Sequence, residues 1–243
     1  MPAVFVHGIP DTHHVWDDLF DHLTRTDVIA LALPGLGNPV PEGFTATKEE
    51  YVDWIIARLE EIGTPVDLVG HDWGSAFTVR VASLRPDLVR TWAGGDAAIS
   101  PAFEWSPLSK IWQTPGVGEQ WMAELDLAEF GEVALKANGV PAHRADETVS
   151  RMDATMKDSM LRLVRSGIHT GAEWEPGLAN VTSPSLVFWG TDDQYQPVEY
   201  AAPLAKNVRA TNVVLLDSGH WPQLQQPRDL AAALTRHWES VPG

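Results

Sequence analysis

Short, unbroken apolar runs alternate with helical spacing along much of this chain, and that alternation limits the fold more than any other feature. Ala3–Val6, Val28–Leu33, Val66–Val69 and Val89–Ala93 read as strands early in the chain, and Ser185–Trp189 and Asn212–Leu216 near its end. The runs are continuous rather than alternating, as expected for strands covered on both faces. Lys48–Ile62 carries Tyr51, Trp54, Ile55 and Leu59 at helical spacing, and Ser75–Leu84 is a second helical stretch. Such repetition predicts an α/β fold, a mostly parallel sheet flanked by helices.

Between residues 100 and 180 the helical spacing persists, Pro and Gly interrupt it, and no strand is legible. We expect a core made of residues 1–99 and 181–243, with 100–180 inserted as a helical cap over the C-terminal edge of the sheet. A chain of 243 residues is long enough for one such unit with a sizeable core.

Composition removes several function classes. There is no cysteine, which excludes disulfides, thiolate metal sites and cysteine nucleophiles. A net charge of −16 disfavours nucleic acid, anionic membrane surfaces and strongly anionic substrates. No run approaches the roughly 20 apolar residues of a membrane span, and MPAVFVHG lacks the pattern of a signal peptide, so a cytoplasmic protein is expected. No HExxH, GxGxxG or P-loop spacing occurs, so neither a metal nor a nucleotide cofactor is expected.

The chemistry concentrates in Gly70-His71-Asp72-Trp73-Gly74, which has strand before it and helix after it. That is the context of a nucleophile elbow, with aspartate where serine is commoner. Glycines permit the tight path, and a helix N-terminus favours negative charge. The plain alternative is a helix N-cap, a position aspartate also favours. Two further segments bear on the choice: His7-Gly8-Ile9-Pro10 after the first strand, and Asp217-Ser218-Gly219-His220-Trp221-Pro222 after the last. Between them Trp189-Gly190-Thr191-Asp192-Asp193 closes another strand on acids. Nucleophile, acid and histidine then follow in the order of the α/β-hydrolase arrangement.

With these motifs the chain resembles the α/β-hydrolase family, and within it the haloalkane dehalogenase and epoxide hydrolase branch that uses an aspartate nucleophile. The resemblance implies an α/β-hydrolase fold with an inserted helical cap. It departs in one place: the HGxP strand begins at residue 3, so the sheet is expected to lack the leading strand or strands of the family. It also implies a role for each matching residue. Asp72 attacks a saturated carbon to give an ester, and His220 activates the water that cleaves it. The backbone N–H groups of Ile9 and Trp73 hold the oxyanion. The Trp-Gly-x-x-Asp pattern lands the acid on Asp193, with Asp96, at the end of the fourth strand, as its rival. Ser75 lies inside the new helix and is set aside as an esterase nucleophile.

For the leaving group the resemblance gives two expectations. A departing halide would lie between the Trp73 indole and a second donor. Ile9 stands where asparagine would provide it, so the cap tryptophans are left, and Trp105 is our choice among Trp105, Trp112, Trp121 and Trp174. An epoxide would need tyrosines in the cap, which has none; Tyr195 and His169 are the substitutes. His7 and Trp221, beside the two loops, complete the expected substrate-binding set. The expected partners are water and a small, uncharged organic substrate, with no cofactor. A non-catalytic ligand-binding protein on the same scaffold is the reading from a different class.

Overall fold

The computed structural model of the chain describes Met1–Val241. Six strands, β1 Ala3–Val6, β2 Val28–Leu31, β3 Val66–His71, β4 Val89–Gly95, β5 Ser185–Gly190 and β6 Asn212–Leu216, form one sheet in the order β2-β1-β3-β4-β5-β6. Every pairing is parallel. All strands therefore end on the same edge, which is where a sheet of this kind places its ligands. Val6 pairs with Gly70, and Gly70 with Gly94, so the loops leaving β1, β3 and β4 emerge side by side.

Three strands run further than their apolar cores suggest, because glycines that read as breakers lie inside the ladder. A Cβ on Gly95 would fall 1.6 Å from Phe188 O, and one on Gly70 would fall 2.4 Å from Gly74 O. These glycines are close-packing sites. β2 is shorter than its apolar run, since the Leu33 N–H turns away to donate to His7 Nε2 at 3.3 Å.

The pleat divides the sheet between two apolar layers. Val4, Val6, Leu68, Trp92, Val187 and Trp189 face the side covered by the helices Lys48–Ile62 and Trp73–Leu84. Ala3, Phe5, Val69, Ala93, Leu186 and Phe188 face the other, against Trp16, Leu19 and the helix Pro227–Glu239. Each large side chain buried in this way contributes roughly 1.5–3 kcal/mol. The Lys48–Ile62 helix opens on a reciprocal Thr47–Glu50 capping box and closes on Gly63 in the left-handed region. At the N-terminal edge of the sheet, buried Asp67 is matched by Arg25 at 2.8 Å, Arg90 at 2.7 Å and the Thr91 hydroxyl at 2.7 Å.

Between β4 and β5 the chain is helical, with Pro107–Gln113, Val117–Glu124, Ala142–Arg151, Ala154–Ser166 and Thr170–Trp174 as its main pieces. Polar contacts tie this insert to the core: Lys48 N donates to Ser166 Oγ at 2.8 Å, and Gln225 Nε2 to Asn138 O at 3.0 Å. Arg144 reaches Asp18 at 2.6 Å. No helix among the described residues is long and apolar enough to cross a membrane.

Another close backbone approach lies under the β3 turn. A Cβ on Gly74 would sit 2.1 Å from Val6 O and 2.6 Å from His7 O. Gly74→Ala is therefore expected to lower stability by about 1–3 kcal/mol through overpacking against backbone. A urea unfolding midpoint equal to the parent's would show that β1 and the Trp73 helix do not approach this closely.

Candidate active site

The turn after β3 fixes Asp72 at φ 54°, ψ −129°, a conformation that non-glycine residues rarely adopt. Its side chain makes no capping bond to the helix Trp73–Leu84 that follows. Instead Oδ1 accepts the Ile9 backbone N–H at 3.0 Å, across from the loop after β1. Gly8 makes that approach possible, because a Cβ there would lie 2.0 Å from the same oxygen. The other carboxylate oxygen, Oδ2, lies 3.5 Å from His220 Nε2. The carboxylate is thus aimed out of the turn and held from one side only.

His220, in the loop after β6, donates from Nδ1 to Asp193 Oδ2 at 2.7 Å. Asp193 Oδ1 accepts the N–H groups of Tyr195 at 2.8 Å and Gln196 at 2.9 Å, which fixes the carboxylate plane. Burial alone would raise Asp193, but the charge of His220 and these hydrogen bonds hold its carboxyl below the usual carboxylate range. Burial likewise works against a charged imidazole, yet the Asp193 carboxylate and then Asp72 outweigh it and raise His220 well above its ordinary value.

Asp96, the rival acid, is fully buried beside this pair but is not bonded to the imidazole. Its Oδ1 accepts the Gly190 N–H at 2.9 Å, and its Oδ2 lies 3.8 Å from His71 Nε2. Burial, reinforced by the charge of Asp193, raises the Asp96 carboxyl well above its ordinary value, so of the two acids it holds its proton the more tightly. Asp96, Asp193 and His220 are also the one cluster among the described residues whose ligand atoms lie close enough for a cation. At 2.7 Å, however, the space between Nδ1 and Oδ2 is that of a shared proton.

Two histidines that resemble site residues act on the backbone instead. His7 is buried and does not line the cavity, contrary to its expected substrate contact: Nδ1 bonds Gly8 O at 2.9 Å and Nε2 accepts from Leu33 N. Burial lowers it to about 4, so it is a neutral strut for the HGxP loop. His71, to which the sequence attached no role, bonds the His220 carbonyl through Nε2 at 2.5 Å and meets Gln223 Nε2 at Nδ1 at 3.2 Å. Burial, then the nearby charge of His220, lowers it to about 4 as well.

Two chambers open above Asp72. One of about 100 Å³ is mainly apolar, lined by Ile9, Leu108, Trp112, Phe130, Tyr195 and Trp221 among others, with His220 in its wall. The other, of about 130 Å³, lies towards Ala97–Pro101 and Ile168–Ala172. Trp221 packs edge-on to His220 with ring centres 4.9 Å apart and donates its N–H to Asp11 Oδ2 at 3.0 Å. Tyr195 also packs edge-on to His220, but its hydroxyl donates to Ala134 O at 2.9 Å. His169 is exposed and lines only the second chamber, away from His220. Trp105 stacks on Trp73 with ring centres 6.1 Å apart, yet its N–H donates to Ile168 O at 3.2 Å. The expectation that Trp105 supplies the second leaving-group donor is therefore corrected: a backbone carbonyl of the cap has taken that hydrogen. Ser75 is buried, lines neither chamber, and has no partner for its hydroxyl.

The sequence profile of the alpha/beta hydrolase family matches residues 3–233. The chain belongs to that family. A curated relative, the (E)-2-((N-methylformamido)methylene)succinate hydrolase of Acinetobacter baylyi, is 24% identical over 99% of this chain and 91% of its own. A haloalkane dehalogenase of Mesorhizobium japonicum is 29% identical over 60% of this chain and 50% of its own. The crystal structure of a haloalkane dehalogenase from Bradyrhizobium elkani superposes with a TM-score of 0.78 at 24% identity, covering 99% of this chain and 92% of that one. This is a hydrolase of the alpha/beta family, and its six-stranded core is that fold.

The charge pattern of the site has a direct spectroscopic consequence. The His220 imidazole keeps its second proton well above the 6.5 of a free histidine, so its contribution to stability is complete below about pH 6.5 and is lost as pH rises through the folded value. Proton NMR should show a strongly downfield Nδ1–H resonance that persists above that pH. Asp193→Asn should remove it and Asp96→Asn should leave it in place; the reverse result would exchange the roles of the two acids.

Proposed function

We propose that this hydrolase cleaves carbon–halogen bonds of small, uncharged organic molecules through an alkyl ester on Asp72. The observation that carries the reading is the carboxylate itself. It does not cap its helix, one oxygen is held by the Ile9 N–H, and the other is left open beside the His220 imidazole.

Asp72 Oδ2 attacks the sp³ carbon as the halide departs, forming the carbon–oxygen bond of the ester. His220 Nε2 then takes a proton from water, and the hydroxide attacks Cγ of Asp72. The negative charge develops on Oδ1, which already has the Ile9 N–H in place, at the N-terminus of the Trp73–Leu84 helix. Collapse expels the alkoxide, which recovers the proton from the imidazolium. The alcohol carries off one aspartate oxygen, the new oxygen stays on Asp72, and the second proton of the water is lost to solvent as the counterpart of the halide. Esterification also removes the negative charge of Asp72, one of the groups that keep His220 protonated, so the imidazole is released to act as a base when the ester needs water.

Epoxide opening is the weaker reading because it demands a proton donor for the alkoxide. All three tyrosine hydroxyls of the chain are already bonded to backbone carbonyls: Tyr51 to Pro34, Tyr195 to Ala134 and Tyr200 to Ala102. A halide needs only N–H donors. The Mesorhizobium relative favours the same choice, whereas the Acinetobacter relative is named for an amide-bearing succinate, so acyl substrates belong in the assay.

In His220→Gln the ester should accumulate and appear in the intact mass as the parent plus the alkyl group of a haloalkane. A single turnover in heavy-oxygen water should place the label in Asp72 of the wild type, and Asp193→Asn should lower turnover by about 10³–10⁴-fold. Diol formation from epoxides with no halide release would replace the carbon–halogen reading. Absence of any label in Asp72 would remove the covalent mechanism.

A further inference from the structure

Among the described residues, five line both chambers: Asp72, Trp73, Phe103, Trp105 and Gln196. They mark the junction where a substrate must lie to be attacked by Asp72, and where an anion displaced from its carbon must first be received. An anion released in a mostly apolar cavity is costly unless hydrogen-bond donors meet it. Phe103 has none, Asp72 is an acceptor, and the Trp105 N–H is bonded to Ile168 O. Two side-chain donors remain at the junction, Trp73 Nε1 and Gln196 Nε2.

Gln196 is held with unusual completeness. Its backbone N–H donates to Asp193 Oδ1 at 2.9 Å, its carbonyl accepts the Trp189 indole N–H at 2.7 Å, and its side-chain Oε1 accepts the Ala98 N–H at 2.9 Å. With Oε1 anchored, rotation of the amide is restricted, and the Nε2 donors are what the residue has left for the junction. We infer that Gln196 Nε2 is the second leaving-group donor, pairing with the Trp73 indole to receive the departing halide. The inference rests on the carbon–halogen reading and deepens it. It also links both ends of the reaction, because the residue whose amide meets the halide is the one whose backbone positions the acid behind His220.

The test isolates the alkylation step. In the His220→Gln background, intact mass follows ester growth on Asp72 from 1-chloro- and 1-bromoalkanes of the same chain length. Adding Gln196→Met should slow alkylation by about 10–100-fold for the chloride, the size expected for one lost donor to a charged group, and by less for the bromide, which is the better leaving group. Gln196→Glu keeps an oxygen for Ala98 N but no amide donor, so it should be at least as slow. Wild-type turnover should be inhibited by bromide at concentrations about tenfold lower than Gln196→Met requires. Recovery of the parent rate in Gln196→Glu would show that the residue merely anchors Ala98, and the assignment would fall. An unchanged chloride-to-bromide ratio in Gln196→Met, or a ratio altered by Trp105→Phe instead, would overturn it too. If ester forms normally in these variants, the Asp72 reading survives that failure; if no ester forms even with Gln196 intact, both fall.

Discussion

The bond from the Ile9 N–H to Asp72 Oδ1 is the contact on which the rest of the site depends. It joins the loops after β1 and β3, and it exists only because three glycines let backbones come unusually close. Gly8 admits the carboxylate, Gly70 admits Gly74, and Gly74 admits the end of β1. Asp72 itself sits where an L-residue costs on the order of 1–3 kcal/mol. A helix N-cap would offer the same aspartate a cheaper role, with the side chain folded back on its own backbone. The chain maintains the strained conformation, and what that achieves is a carboxylate with one oxygen held and one free.

Much of this was legible in the sequence, for identifiable reasons. Continuous apolar runs placed the six strands, because burial on both faces leaves no room for alternation. The order of elbow, late acid and histidine placed Asp72, Asp193 and His220 on one sheet edge, because parallel strands all finish there. Strand ends were misread where Gly94, Gly95 and Gly190 look like breakers but serve as close-packing positions. The early end of β2 could not be seen either, since it depends on His7 claiming the Leu33 N–H across the sheet.

Side-chain direction was the least readable level. Trp105 is where a cap tryptophan should be, but whether its N–H faces the cavity or a carbonyl at Ile168 is decided by cap packing. Tyr195 follows the acid and does line the cavity, yet its hydroxyl is already given to Ala134 O. His71 and Gln196 had no pattern to mark them, as neither belongs to a chemical motif. His71 steadies the His220 carbonyl, and Gln196 steadies Asp193. Residues that hold other residues leave little trace in spacing, since any donor or acceptor of the right reach would serve.

The two ends of the sheet handle buried charge in opposite ways. At the N-terminal edge, Asp67 is saturated by two guanidiniums and a hydroxyl, and that carboxylate has no capacity left for chemistry. At the C-terminal edge the carboxylates are met by N–H donors and an imidazole instead. Asp11, raised to about 7 chiefly by burial, is met by the Trp221 N–H, and Asp96, also raised by burial, is met by the Gly190 N–H. Asp193 and Asp72 then lie at the two nitrogens of one imidazole, that of His220. Such a cluster is poised, because removing one negative charge changes the proton affinity of what remains. In the reaction proposed above, alkylation of Asp72 would be such a removal, and the covalent step would itself prepare the base for the hydrolytic one.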